Sequence, residues 1–254
     1  MRYKTVEFAV QEIVAFHKKF PRKIIHISDS NFPPSKKYLR EFLNKLNSLK
    51  LRVKLSINTR ADILNKYSIS ELRHMVRCGF IEFLVGVESA SDQILKKMNK
   101  GETYEEIASA LRKLKKADAP IVKTYWMLGF PGETKETLEQ SQEALRELLE
   151  QDLTDYAIIK LFLPYPGTPP FQEPERFDIH IEKNHWWKYE RFSFPPPYQL
   201  GSVSMDTLLD HLIAMNYEQL LHLGQKLKIG ESVLGELISK GLKDEKRREA
   251  KANN

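Results

Sequence analysis

Cysteine is almost absent from the chain, and this scarcity limits what the chain can build. The 254 residues contain one cysteine, Cys78, so they cannot form an internal disulfide framework. They also cannot supply several thiolates to one metal site. A sequence this poor in cysteine is typical of a reducing compartment, and we therefore expect a cytoplasmic protein.

Long apolar runs and a strong excess of one charge are missing as well. No stretch approaches the roughly 20 apolar residues that a membrane-spanning helix needs, and the first residues, MRYKTVEFAVQEI, lack a secretion signal. The 40 Lys and Arg residues and the 34 Asp and Glu residues are interleaved, which is typical of solvated helix faces. These features predict a soluble protein with no membrane partner and argue against nucleic acid.

No residue spacing typical of a metal site is present. The histidines of the second half show no HExxH or i, i+4 pairing, which argues against a zinc site; they are His180, His185, His211 and His222. We therefore predict no metal ligands in this chain.

The chain does contain a repeated alternation of helical and strand-like segments. A period near 3.6 predicts helices, and short β-branched runs such as KIIHIS predict strands. The expected order is helix 6–20, strand 23–28, helix 33–49, strand 51–57, helix 70–77, strand 81–87, helices within 91–116, strand 121–128, helix 134–151 and strand 156–163. Apolar strands separated by helices predict an α/β fold, a partial (β/α) TIM-like barrel with five parallel strands.

The composition changes after residue 170. We expect residues 1–170 to form the barrel, and residues 171–240 to be a Pro-rich and aromatic segment with helices 205–226 and 232–240 that packs on it. Aromatic side chains there, such as Trp186 and Trp187, more often pack than bind a substrate. Residues 241–254 are charged and are predicted to be disordered.

Polar and glycine-rich residues follow each predicted strand, where parallel β/α folds carry their sites. The segments are 28–31 (SDSN), 58–62 (NTRAD), 86–89 (GVES), 129–134 (GFPGET) and 164–168 (PYPGT). Asp29 and Glu88 suit an ammonium or ribose hydroxyls, and the Arg60 guanidinium suits a carboxylate. Two plainer interpretations stay open: Arg60 pairs with Asp62 or Glu88, and Asp29 forms an Asx turn or helix cap.

Three of these segments, taken in order and spacing, resemble a known family. WMLGFPGET, FLVGVESASDQILKKMNKGETYEE and LPYPGTP are similar to the strand-end signatures of radical S-adenosylmethionine (radical SAM) enzymes, especially the branch that often carries a cobalamin-binding domain. The likeness covers residues 2–168. The resemblance implies a partial (β/α)6 barrel with S-adenosylmethionine across the strand ends.

The resemblance also implies roles for eight residues. It places Asp29 near the methionine amino group, Arg60 and Ser89 near the polar groups of the methionine, and Glu88 near the ribose. It places Gly129 and Pro131 beside the adenine, and it adds Glu133 and Pro166 as further cofactor-binding candidates in the same two glycine-rich segments. The run of lysines at 96–102 is read as solvated rather than as a phosphate site.

One departure from the family is decisive. The CxxxCxxC loop, which binds the [4Fe–4S] cluster through three thiolates, is absent, and Cys78 reads as a small buried hydrophobe. A misassigned start at Met1, a split gene, a trimmed chain or a true loss of the cluster half would each explain the gap. An upstream segment or a separate chain would then carry the cysteines.

Three functional hypotheses follow from the sequence. The first is the core of a radical SAM enzyme, which generates a 5′-deoxyadenosyl radical once other cysteines hold the cluster and uses cobalamin if a further domain supplies it. The second is a cluster-free module that binds S-adenosylmethionine without radical chemistry. The third is an ordinary barrel enzyme with Glu88 or Asp29 as general base. The substrate is not specified by the sequence.

Overall fold

A parallel five-stranded sheet forms the centre of the molecule. The computed structural model describes residues 3–182, 186–189 and 195–228. The strands β1 to β5 lie in chain order, and each pairs in parallel with the next. They are β1 (Ile25–Ile27), β2 (Leu55–Thr59), β3 (Phe80–Glu88), β4 (Ile121–Leu128) and β5 (Tyr156–Leu161).

Helices connect these strands and cover the outer face of the sheet. They are α1 (Val6–Lys19), α2 (Lys36–Ser48), α3 (Ala61–Asn65), α4 (Ile69–Arg77), α5 (Asp92–Lys97), α6 (Tyr104–Lys116), α7 (Lys135–Glu150), α8 (Pro169–Gln172) and α9 (Met205–Lys226). Within the described ranges, none of the helices is long and apolar enough to cross a bilayer. The predicted α/β class, a partial barrel of five parallel strands, is confirmed.

The largest differences from the sequence-based expectation lie in short elements. Helix α3 was not predicted, because its five residues are too few to show a helical period. The aromatic segment contains an antiparallel pair, β6 (Ile179–Ile181) and β7 (Tyr198–Leu200). Helix α9 has the expected bounds. The predicted helix 232–240 and the tail 241–254 lie outside the described residues, and the domain boundaries stay predictions.

Side-chain caps begin three of the helices on the outer face, α4, α6 and α7. Ser68 and Glu71 form a reciprocal capping box at the start of α4, and Thr103 and Glu106 form another at α6. The Thr134 hydroxyl caps α7 directly after the glycine-rich loop. Each cap satisfies backbone N–H groups that the first helical turn leaves unpaired. The glycine-rich loop after β4 therefore runs into a capped helix start.

The two faces of the sheet differ in polarity. Successive side chains of a strand point to opposite faces, and the outer set is apolar and fully buried against the helices, as at Leu55, Phe83 and Val122. The inner set includes the polar residues Ser56 and Glu82. Branched apolar residues dominate the interior of complete barrels. The polar inner face is thus suited to a ligand rather than to a packed core.

The two edges of the sheet also differ. Helix α9 packs against β5, and the Gln219 side chain accepts a hydrogen bond from the Ala157 backbone N–H at 2.9 Å. This bond satisfies a donor that an edge strand leaves open. No strand among the described residues pairs with the outer edge of β1. Helix α1 packs beside that edge, against β1 and α2.

Candidate functional site

A cavity of about 640 Å³ lies at the carboxyl ends of the strands. This volume is within the usual range for small-molecule sites. Its walls combine charged, amide and aromatic side chains with the backbone of the strand ends. They are formed by Ser30, Asn31, Asn58, Thr59, Arg60, Leu84, Gly86, Glu88, Lys100, Tyr125, Trp126, Met127, Lys160, Leu161, Phe162, Leu163 and Tyr165.

Five charged residues form a network on one wall of this main cavity. Arg60 donates to Asp62 at 2.9 Å and to the Lys100 carbonyl, and it pairs with Glu102 at 3.2 Å. Lys100 donates to Glu88 at 3.1 Å. Burial raises the pKa of Glu102, whose side chain is 1% exposed. The network therefore places the two cations Arg60 and Lys100 and the carboxylate of Glu88 on the cavity wall.

The backbone at the end of β3 directs Glu88 into this network. Glu88 has a left-handed backbone with φ of 68°, a conformation that costs a non-glycine residue energy. Its carboxylate folds back over Gly86, where a Cβ atom would overlap Glu88 Oε1 and approach Lys100 Nζ to 2.8 Å. A side chain at position 86 would therefore displace the ends of the Glu88 and Lys100 side chains from their present contact.

A buried hydroxyl on the cavity wall has no partner among the residues that the structure describes. Thr59 is 3% exposed, and its Oγ1 makes no hydrogen bond within the described part of the chain. An unsatisfied buried hydroxyl costs about 1–3 kcal/mol. A bound ligand with a polar group at this point would remove that cost. Together with the charged wall, this hydroxyl fits a ligand that carries charges and several hydrogen-bonding groups.

The glycine-rich loop after β4 is held from behind by Glu133. Its carboxylate is fully buried and accepts hydrogen bonds from the backbone N–H groups of Gly129 and Phe130. Burial raises the pKa of Glu133 to about 7. The Tyr198 hydroxyl donates to the Gly129 carbonyl at 3.0 Å. Because a Cβ at position 129 would overlap that hydroxyl and approach Leu208 to 2.9 Å, the loop accepts only glycine there.

The structure brings two of the eight predicted site residues, Arg60 and Glu88, to the main cavity. Arg60 also makes the predicted pair with Asp62. Asp29 is exposed and lines a second cavity of about 500 Å³ beside the β1 edge.

The other predicted residues do not line the main cavity. Buried Ser89 faces the Ser141 hydroxyl of α7 at 3.3 Å. Gly129, Pro131 and Glu133 lie in the loop behind the cavity, and Pro166 is in an exposed turn. The ligand roles of all eight residues stay predictions.

Sequence reasoning missed two features of the site. Lys100 was grouped with solvated lysines, yet its side chain is only 9% exposed and pairs with Glu88. The available sequence signal was that Lys100 stands two residues before Glu102, in the loop that returns to the cavity. The second feature is the polar inner face, where His26 and Ser56 occupy alternating positions of short strands. That alternation is visible in IHI and LSI, but two or three residues are too few to assign a face.

The single cysteine does not fit an iron–sulfur cluster. Cys78 is buried at the amino end of β3, opposite the main cavity, and burial raises the pKa of its thiol. Thiolate ligation requires the opposite shift. In the described ranges, no group of three or more His, Cys, Asp or Glu residues is placed to hold a metal ion. The residues of this chain therefore fit a polar organic ligand and do not fit a cluster.

Comparison with known proteins agrees with this geometry. The sequence profile of the Radical SAM superfamily matches residues 1–145, and the chain belongs to this superfamily. The chain is 29% identical over 224 residues to a bacteriochlorophyllide d C-12(1)-methyltransferase of Chlorobaculum tepidum, with 85% of this chain and 45% of the relative covered. It is 27% identical to an uncharacterized methyltransferase of Pyrococcus horikoshii, with 74% and 39% covered. The chain thus spans less than half the length of these relatives.

Solved structures show the same fold at low sequence identity. The radical S-adenosylmethionine methyltransferase TsrM from Kitasatospora setae, solved with cobalamin and a [4Fe–4S] cluster, superposes with a TM-score of 0.54 at 18% identity, covering 70% of this chain and 36% of TsrM. Coproporphyrinogen III oxidase from Escherichia coli, a radical SAM enzyme, gives 0.52 at 13% identity, covering 86% and 48%. These structural similarities establish the partial-barrel fold alone.

Proposed function

We propose that this chain binds S-adenosylmethionine in the main cavity and forms the core of a radical SAM enzyme. The observation that carries the proposal is the buried Thr59 hydroxyl, which has no partner in the described part of the chain and lies beside a charged wall at the strand ends. S-adenosylmethionine is a zwitterion with a ribose and an adenine, and it would use both charge signs. When bound, it supplies the adenosyl or methyl group for the chemistry.

The charged residues of the cavity wall would each bind a different part of S-adenosylmethionine. Arg60 and Lys100 would bind the methionine carboxylate, because both cations already contact carboxylates there. Glu88 would accept hydrogen bonds from the ribose hydroxyls. The predicted contacts of Asp29, Ser89, Gly129, Pro131, Glu133 and Pro166 stay part of the proposal. Gly129, Pro131 and Glu133, which lie behind the cavity, would act by holding the loop that contacts the adenine.

The proposed binding is tested by isothermal titration of S-adenosylmethionine into the aerobically purified, iron-free chain. Glu88→Gln keeps the shape of the side chain and removes its charge, so we expect about a tenfold loss of affinity. Glu105→Gln changes an exposed carboxylate of α6 that pairs with Arg112 and does not line the main cavity, so it should leave affinity unchanged. Equal affinity of wild type and Glu88→Gln would contradict the assignment.

The cluster of the family would have to be held by cysteines outside these 254 residues. We propose that they lie in the loop after a strand parallel to β1, in the same or a separate chain. Helix α1 occupies the place of a crossover helix that follows such a strand. Large apolar side chains are half exposed along this edge, among them Tyr3, Phe8, Phe16 and Ile24. A strand beside β1 would cover them and place its following loop at the main cavity.

Two measurements test this arrangement. Anaerobic treatment of the chain with iron and sulfide should give no [4Fe–4S] absorption, and a cluster on this chain alone would refute the need for outside cysteines. The genomic sequence upstream of the Met1 codon should encode CxxxCxxC within about 10–40 codons, the reach of a short strand and loop. A cysteine triad there would support the proposal. No triad there would favour the cluster-free module that only binds S-adenosylmethionine.

Methyl transfer is the reaction class that the relatives favour. Two of them are named methyltransferases, and the fold neighbours TsrM and OxsB are described as cobalamin-binding. We therefore propose methyl transfer, with cobalamin supplied by a further domain if it is used. We also propose a cytoplasmic location, on the ground of the single cysteine.

A further inference from the structure

A row of hydrogen-bonded polar side chains crosses the inner face of the sheet below the main cavity. It takes one residue from each of four neighbouring strands. Ser56 Oγ lies 3.0 Å from His26 Nδ1 and 2.7 Å from Glu82 Oε1. Lys123 Nζ lies 2.7 Å from Glu82 Oε2. The row thus runs without a break from β1 to β4, in a place where barrels usually hold apolar side chains.

The hydrogen bonds of the row fix the direction of every proton. Although burial acts to raise it, the pKa of Glu82 is lowered overall by the hydrogen bonds from Lys123 and Ser56, so its carboxylate only accepts. The single Ser56 proton is therefore donated to Glu82. Ser56 Oγ can then only accept from His26, which must carry its proton on Nδ1. In a ring with a single proton, this leaves Nε2 as an acceptor.

Nε2 of His26, the acceptor atom of the row, lies at the solvent-exposed end of the row. Ser56 is 1% exposed and the Glu82 side chain 12%, whereas His26 is exposed. Its Nε2 lies 3.3 Å from Nδ2 of Asn58, and Asn58 lines the main cavity. The buried members hold the ring, and the lone pair of Nε2 accepts from the Asn58 amide, which lines the cavity wall. A substrate donor would take the place of this amide at Nε2.

We propose that His26 Nε2 is a substrate-binding and proton-accepting group for a substrate with a protic N–H or O–H group. The inference rests on the proposed function, because the substrate would lie on the inner face beside S-adenosylmethionine. The substrate X–H bond breaks, its electron pair stays on X, and the proton forms Nε2–H. The resulting imidazolium keeps its Nδ1–H bond to Ser56, and the Glu82 carboxylate offsets its charge. Ser56, Glu82 and Lys123 are positioning residues.

The first test measures the tautomer of His26 in the full chain by nitrogen-15 NMR of the imidazole rings. The proposal requires a proton on Nδ1 and none on Nε2 at neutral pH. Ser56→Ala removes the acceptor of Nδ1–H and should shift the ring towards the Nε2–H form, while exposed His180 stays unchanged. A wild-type His26 protonated on Nε2 would overturn the proposal.

The second test uses phenol as the probe of a protic group. Phenol should shift the Nε2 resonance of His26, and anisole, which has the same ring without the O–H, should bind about fivefold more weakly. Ser56→Ala should reduce the phenol effect similarly. Equal shifts with phenol and anisole would refute the subsite. Both probes are measured without S-adenosylmethionine. If the phenol test fails but S-adenosylmethionine still binds in the calorimetric titration, the subsite is wrong and the proposed function stands. If S-adenosylmethionine does not bind, the proposed function itself is wrong.

Discussion

Replacing Thr59 by valine should stabilise the protein and weaken its ligand binding at the same time. Valine has the shape of threonine without the hydroxyl, and the Thr59 hydroxyl is buried with no partner in the described residues. Removing an unsatisfied buried hydroxyl should raise the free energy of unfolding by about 1 kcal/mol. For a domain of this size, that corresponds to a rise in Tm of about 2–4 °C. Because a bound ligand would use the hydroxyl, affinity for S-adenosylmethionine should fall about fivefold.

The matched control is Thr124→Val, on the neighbouring part of the sheet. Thr124 is also fully buried, but its Oγ1 lies 3.1 Å from the Thr154 hydroxyl and accepts from Trp126 Nε1 at 3.0 Å. The same substitution there should lower the free energy of unfolding by about 1–3 kcal/mol. Thermal unfolding and calorimetric titration measure both effects. If Thr59→Val destabilises the protein as much as Thr124→Val, the Thr59 hydroxyl has a partner in solution and the reasoning is wrong.

Three further predictions concern the loop and edge that frame the site. Because burial raises the pKa of Glu133 from 4.5 to about 7, its stabilising effect relative to Glu133→Gln should be complete below pH 4.5. That effect should fall by about 3 kcal/mol as pH rises to 7, in urea unfolding at several pH values. Gly129→Ala should lower the unfolding free energy by about 3 kcal/mol, because φ is 80° and the new methyl group meets Tyr198. Gln219→Leu should cost about 1–3 kcal/mol and speed hydrogen exchange at the Ala157 amide, which loses its acceptor.

Each of these predictions has a control in the same chain. A pH dependence of the wild type identical to that of Glu133→Gln would show that Glu133 does not titrate in this range. Gly101 has φ of 70° with no atom near its Cβ position, so Gly101→Ala should cost only about 1 kcal/mol. If the two alanine variants are equally stable, Tyr198 does not restrict the loop. Gln140→Leu, on the exposed face of α7, should leave the Ala157 amide exchange unchanged.

Much of the fold could be predicted from local sequence patterns. The strand 121–128 and the helix 205–226 have the predicted bounds, because a long apolar run and a long helical period are both unambiguous. The hairpin of β6 and β7 could not be predicted, since each strand has three residues. Its pairing depends on contacts with the barrel, such as Tyr198 against Gly129, and not on local propensity.

The candidate site was predictable only in part. The order of motifs was enough to place Arg60 and Glu88 at strand ends, because parallel strands bring their carboxyl ends to one edge. The side-chain directions were not predictable. Ser89 turns towards α7, and Lys100 returns from a distant loop to meet Glu88. Both depend on how helices pack behind the sheet.

By itself, the sequence determined the alternation of strands and helices, the family resemblance and the lack of cluster ligands. These follow from residue type and spacing along the chain. Only the tertiary structure decided which groups share the cavity and that four strands align His26 with Lys123 in one row. It also decided that no described residue pairs with the Thr59 hydroxyl. Such relations join residues far apart in the chain, and they are fixed by strand register and helix packing, which local sequence patterns do not encode.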